Sequence, residues 1–127
     1  MAPPPIGYDM PRAPKHNIVM YQGGSFDLSL TYQDSDGCAI DLSSGYTCDF
    51  EGRTNRSDGD PPKFTFSSSG SQITLANSMP NILINLDPAD TSAITAGVGV
   101  YDIKLTHSNS TVFLIEGEYE VVQPVTR

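Results

Sequence analysis

Ser25-Phe26-Asp27-Leu28-Ser29-Leu30-Thr31-Tyr32-Gln33 decides the fold: Phe26, Leu28, Leu30 and Tyr32 take every second place, and polar residues fill the others. In an extended chain successive side chains point to opposite faces, so this stretch has one face to bury and one to wet. Tyr101, Ile103 and Leu105 repeat the pattern within residues 98–107, and Ile82, Ile84 and Leu86 repeat it within residues 81–86. Segments of this kind stack their dry faces together as antiparallel sheets, which makes the chain all-β, a sandwich or a barrel.

Working outward, residues 17–22 predict a first short strand closed by Gly23-Gly24. Asp34-Ser35-Asp36-Gly37 has the residue types of a tight reversal, and residues 39–42 predict a brief strand or bridge. Residues 46–52 predict a strand with Tyr46, Cys48 and Phe50 on one face. Residues 53–62, apolar only at Pro61 and Pro62, read as the longest loop of the body. Phe64 and Phe66 mark a short strand, residues 67–71 a turn, and residues 72–76 another strand. Asp87-Pro88-Ala89-Asp90 predicts one short helical turn to about Ile94, with a capping acid, a proline in the first helical place and an acid in the first turn. Residues 98–107 and 111–122 are two long closing strands joined at Ser108-Asn109-Ser110. Eight or nine strands so spaced predict an immunoglobulin-like antiparallel β-sandwich over residues 18–127. Phe26, Phe50, Phe64, Phe66 and Tyr101 are expected in its core, with the Tyr101 hydroxyl bonded to upstream backbone at the corner after the helical turn.

Residues 1–17 form a second compositional zone holding five of the ten prolines, Pro3, Pro4, Pro5, Pro11 and Pro14. Proline fixes φ and biases its predecessor to extension, so an extended proline-rich arm is expected. A disordered tail is the plain alternative. Ile6, Tyr8 and Met10 alternate as apolar anchors, which favours a docking arm held by a partner through Pro3, Pro4, Pro5, Ile6, Tyr8 and Met10.

Charge narrows the function classes. Fifteen acidic residues stand against 7 basic ones, a formal charge of −8, whereas nucleic acid and anionic lipid both call for a cationic surface. Neither is an expected partner. No apolar run approaches the ~20 residues of a membrane span, and Met1 to Arg12 lacks the apolar centre of a signal peptide, so secretion through a signal is not expected. Two cysteines, Cys38 and Cys48, are too few for a disulfide framework and are expected as free, partly buried thiols.

Chemistry-bearing motifs are sparse. His16 and His107 sit at a strand entrance and exit with no third ligand at metal spacing. Asp34, Asp36 and Gly37 with Asp41 have part of a calcium loop, but the third aspartate and bidentate glutamate of the twelve-residue form are missing, so a turn is expected and no metal or cofactor is assigned. Glu116, Glu118 and Glu120 share a face, expected as a wet acidic stripe near a sheet edge that blocks stray pairing or meets a basic partner. No nucleophile elbow, phosphate loop or Cys-x-x-Cys occurs, and no catalytic residue is assigned.

Tyr21-Gln22-Gly23 leading into Ser25-Phe26-Asp27-Leu28, the 34–37 turn, Ile40-Asp41-Leu42 and Gly45-Tyr46-Thr47 form a distinctive opening. Gly97, Tyr101-Asp102-Ile103-Lys104-Leu105, Glu116-Gly117-Glu118-Tyr119-Glu120-Val121 and Pro124-Val125-Thr126-Arg127 continue it. Over about residues 17–127 the chain resembles small tailed-bacteriophage structural proteins, in particular the immunoglobulin-like N-terminal domain of phage baseplate upper proteins. The resemblance implies a non-enzymatic virion component, assembled in the host bacterial cytoplasm and oligomeric within the particle. Its partners would be other virion proteins, and its place a tail, baseplate or fibre-attachment adaptor. A head decoration (cement) protein is the alternative. A carbohydrate-binding module is a third class, disfavoured because tryptophan is absent and the aromatic residues have core spacing.

Overall fold

The computed structural model describes residues 14–34, 36–57 and 61–126. Alternating segments become β1 (Ile18–Tyr21), β2 (Phe26–Leu30), β3 (Tyr46–Arg53), β4 (Phe64–Ser67), β5 (Ile73–Leu75), β6 (Ile82–Leu86), β7 (Gly97–His107) and β8 (Ser110–Val122). Among the described residues one helix, α1 (Pro88–Ser92), joins β6 to β7. Asp87 caps it: its carboxylate accepts from the Asp90 N–H at 2.9 Å, and the Asp90 carboxylate accepts from the Asp87 N–H at 3.0 Å. This reciprocal box satisfies two otherwise orphan donors, and Pro88 follows in the first helical place.

Five strands form one sheet in the order β1-β8-β7-β3-β4, and three form the other in the order β2-β6-β5. All pairs are antiparallel except β1 with β8, which is parallel. The third, seventh and eighth strands together in one sheet, with the second, fifth and sixth facing them, make an immunoglobulin-like β-sandwich. Phe50 is fully buried and packs edge-on against Phe64 and Tyr101, at 5.0 and 5.6 Å between ring centres. Edge-on pairs add to what aromatic burial alone contributes. Ile82, Ile84 and Leu86 of β6 and Ile103 and Leu105 of β7 complete the dry layer.

Glycines inside the strands make room for these rings. A Cβ at Gly52 would overlap the Phe64 ring, and one at Gly99 would overlap the Tyr119 ring and the Arg53 carbonyl. Gly117 stands directly opposite Tyr101, and a Cβ there would overlap the His16 carbonyl oxygen. The Tyr101 hydroxyl donates to that same oxygen. The expected bond from the Tyr101 hydroxyl to upstream backbone is made, and its acceptor lies in the chain entering β1, which Gly117 lets approach closely.

Three expectations are corrected. β2 ends at Leu30 and not at Gln33, because the Tyr32 backbone turns to Asn81: Asn81 Oδ1 accepts from the Tyr32 N–H, and Asn81 Nδ2 donates to the carbonyls of Tyr32 and Ile40, each at 2.8 Å. The helix ends at Ser92, short of Ile94. β8 is no edge strand, since β1 flanks it on one side and β7 on the other. Residues 39–42 contribute an isolated bridge, Gln33 with Ala39, as the bridge alternative anticipated.

Candidate interaction surface

The outer face of the five-stranded sheet gathers most of the chain's chemistry, and strand register sets its rows. Across β8, β7 and β3, Glu118, Val100 and Arg53 form one row, and Glu116, Asp102 and Glu51 form the next. Phe113, Lys104 and Asp49 form the third. Like charges directly opposite in a sheet destabilise it, yet the middle row is three carboxylates wide. Cations come from the flanking rows and from the loop after β3: Arg53 approaches Glu51 at 3.5 Å, and Arg56 meets Glu116 at 3.1 Å.

Except for Glu116 and Glu118, these residues line an open cleft of about 250 Å³ together with Asn55. Glu116 is buried, so the expected wet stripe of Glu116, Glu118 and Glu120 is wet only at the latter two. Burial lifts the Asp102 carboxyl above the usual aspartate range, and the neighbouring Glu51 carboxylate adds to the rise. Phe113 reaches the outer face through a β-bulge. Ile103 pairs with Ile115 but Lys104 pairs with Phe113, leaving Leu114 as the extra residue that reverses the alternation.

Beyond the charged rows the same face turns apolar. Val19 and Tyr21 of β1 and Val98 of β7 are 53, 55 and 70% exposed, and Val19, Glu120 and Val98 share a row. A flat, water-open face with mixed charge at one end and apolar residues at the other has the anatomy of a binding surface. Asp102 and Glu116 are direct cross-strand neighbours. The cleft over Asp102 is open to solvent, and among the described residues that line it no nucleophile stands beside a base.

The other candidate residues lie elsewhere. Asp34 Oδ1 is committed to its own turn, accepting from the N–H groups of Asp36 and Cys38, and Asp41 Oδ1 accepts from the Ser43 N–H and hydroxyl. Among the described residues no three His, Cys, Asp or Glu side chains are grouped to hold a metal. His107 stacks on Tyr46, ring centres 4.3 Å apart, and His16 is exposed. Cys38 is exposed and Cys48 buried, both free. Burial pushes the Cys48 thiol up to about 12, with the Asp49 charge adding, so it is unreactive at ordinary pH. Pro3, Pro4, Pro5, Ile6, Tyr8 and Met10 lie outside the described residues. Residues 14–17 do lie within them and run beside β8: the Glu116 N–H donates to the Pro14 carbonyl, and the His16 N–H donates to the Glu116 carbonyl.

Among the described residues no helix is long and apolar enough to cross a membrane. No family model matches the chain, and no curated protein is similar to it. Among solved structures it is similar to one described as Tim-1, with 11% identity and a TM-score of 0.43 over 91% of this chain and 99% of that one. A likeness so loose carries no argument about activity or partners. The fold assignment rests on strand order and register.

Proposed function

We propose that this protein is a non-enzymatic assembly module of a tailed-phage particle, a tail, baseplate or fibre-attachment adaptor. It would hold other virion proteins through the outer face of the five-stranded sheet and through the proline-rich arm. The observation that carries the binding role is the row Glu116, Asp102 and Glu51, three carboxylates side by side where sheet stability disfavours them. Groups kept against local stability mark functional surfaces. The virion setting rests on the sequence resemblance alone.

A basic partner surface suits the acidic rows, and Val19, Tyr21 and Val98 supply the apolar contact beside them. The arm would add contact area with little ordering cost, since proline geometry is preset. Residues 14–17 are zipped to β8, so the deletion to test is residues 1–13, which keeps those hydrogen bonds. In phage carrying that deletion the body should fold and fail to enter particles, and unimpaired incorporation removes the arm from the function. Counting copies per particle separates an adaptor, at a small multiple of three or six, from a head decoration protein present in hundreds. Turnover of any substrate by the purified chain defeats the non-enzymatic reading.

A further inference from the structure

The cleft over Asp102 sets a carboxylate without a partner beside a phenyl ring half in water. Neighbouring charges are matched in pairs, Arg53 with Glu51 at 3.5 Å and Arg56 with Glu116 at 3.1 Å. Among the described residues no hydrogen bond or ion pair engages the Asp102 carboxylate, although Arg56 and Lys104 lie near enough to favour its charge. Burial, with Glu51 and Glu116 adding to it, outweighs those two cations. Phe113 lines the same cleft and is 51% exposed, because the bulge at Leu114 turns it out of the core. A side chain laid on that ring would recover the hydrophobic free energy its exposure costs.

Strand register decides which cation fits. Glu51 stands directly opposite Asp102, so their Cβ atoms are about 5 Å apart and the two carboxylates lie side by side. A guanidinium is a planar fork that donates to two such acceptors at once, whereas an ammonium is a compact point charge. The same plane stacks on an aromatic face. We propose that the cleft receives one arginine side chain of a partner protein, its guanidinium on Asp102 and Glu51 and its stem along Phe113. The proposal rests on the docking role given above to this face, and it names the residue that the basic partner carries there.

Charge complementarity selects a foreign partner over a second copy. With 15 acidic residues against 7 basic ones, two copies of this chain repel each other. The row of carboxylates already takes a guanidinium at its β8 end, where Arg56 meets Glu116. Arginine and aromatic side chains are also the residues that protein interfaces concentrate at their energetic centres.

The test titrates the purified, isotope-labelled full chain at low salt with three capped tripeptides, glycine flanking arginine, lysine or citrulline, and follows amide shifts. The arginine peptide should give saturable shifts centred on Glu51, Asp102 and Phe113. The lysine peptide should bind about threefold more weakly, and the uncharged citrulline peptide should not bind. Phe113→Ala should weaken the arginine peptide about threefold and Asp102→Asn about tenfold, with melting curves showing that both variants stay folded. Equal binding of the lysine and arginine peptides reduces the cleft to general charge attraction and overturns the proposal. Shifts centred elsewhere, or no shifts, overturn it too. Incorporation into particles keeps the two readings apart, using Glu118→Lys with Glu120→Lys, two exposed acids on the same face. Where no peptide binds but that double variant stays out of particles, only the arginine slot is lost; where it enters normally, docking through this face is lost as well.

Discussion

Replacing Asn81 by leucine should cost this protein a large share of its stability. The side chain is fully buried and makes three hydrogen bonds of 2.8 Å, accepting from the Tyr32 N–H and donating to the Tyr32 and Ile40 carbonyls. Leucine keeps most of the volume and none of the bonds. The Tyr32 carbonyl would still accept from the Ile40 N–H at 3.1 Å, so two buried backbone groups are orphaned, the Tyr32 N–H and the Ile40 carbonyl. Each orphan costs about 1–3 kcal/mol, about 4 kcal/mol together. At about 3–5 °C per kcal/mol for a chain of this size, the melting temperature should fall by about 15 °C, read by circular dichroism and checked by urea unfolding. Asn81→Asp adds a sign. A carboxylate there would face two carbonyls in a dry site, so its folded pKa lies above the unfolded value of about 3.9. Its favourable contribution is then complete below that unfolded value and is lost as pH rises through the folded one. The variant should melt closer to wild type at pH 4 than at pH 8. A loss under about 3 °C for Asn81→Leu would refute the idea that this side chain pins the 32–40 segment to the second sheet.

Gly52→Ala drives a methyl into the Phe64 ring, and Gly99→Ala drives one into the Arg53 carbonyl and the Tyr119 ring; each should cost about 1–3 kcal/mol in thermal melts, the second more because backbone cannot swing away. Two buried tyrosines should behave oppositely: Tyr101→Phe loses the bond to the His16 carbonyl and should cost about 1 kcal/mol, whereas the Tyr32 hydroxyl has no hydrogen-bond partner and Tyr32→Phe should be neutral or stabilising. Thr91→Val removes the hydroxyl that donates to the Gly24 carbonyl at 2.7 Å and accepts from the Gly23 N–H at 3.0 Å, and should loosen the turn between β1 and β2, seen as faster amide exchange at Gly23. Asp102 titrates above its unfolded value, so its protonated form favours folding in acid and that advantage fades as pH rises through the folded pKa; Asp102→Asn should raise stability at pH 7 and flatten the stability profile between mildly acid and neutral pH.

Strand positions were legible because burial on one face forces a period of two. Tyr46, Cys48 and Phe50 give β3, Ile82, Ile84 and Leu86 give β6, and Asp87-Pro88 gives the helix start. What stayed hidden depends on register and on long-range partners. Glu116, Asp102 and Glu51 lie 14 and 51 residues apart in sequence, and only the pairing of β8, β7 and β3 makes them one row. Strict alternation counted back from the buried Ile115 puts Phe113 in the core; the bulge at Leu114 turns it out, and no residue type there announces a bulge. Asn81 looked like the polar start of a strand, since nothing local tells that three partners sit 41 and 49 positions upstream.

The surface charges bear on the docking role proposed above. Exposed ion pairs contribute little, and Arg53 with Glu51 is partly exposed on both sides. Arg56 with Glu116 is lopsided, the carboxylate nearly sealed and the guanidinium more than half open. Asp102, between Glu116 and Glu51, is held where its ionised form is disfavoured. A sandwich selected for stability alone would place threonine or valine on that row, as β-strand preferences dictate. Retaining three acids across three strands suits the docking role proposed above. A lysine- or arginine-rich surface pressed onto the cleft would offset the repulsion and draw the Asp102 pKa down. On that account docking should tighten as pH rises from acid to neutral, opposite in sign to the protein's own stability contribution from the same residue.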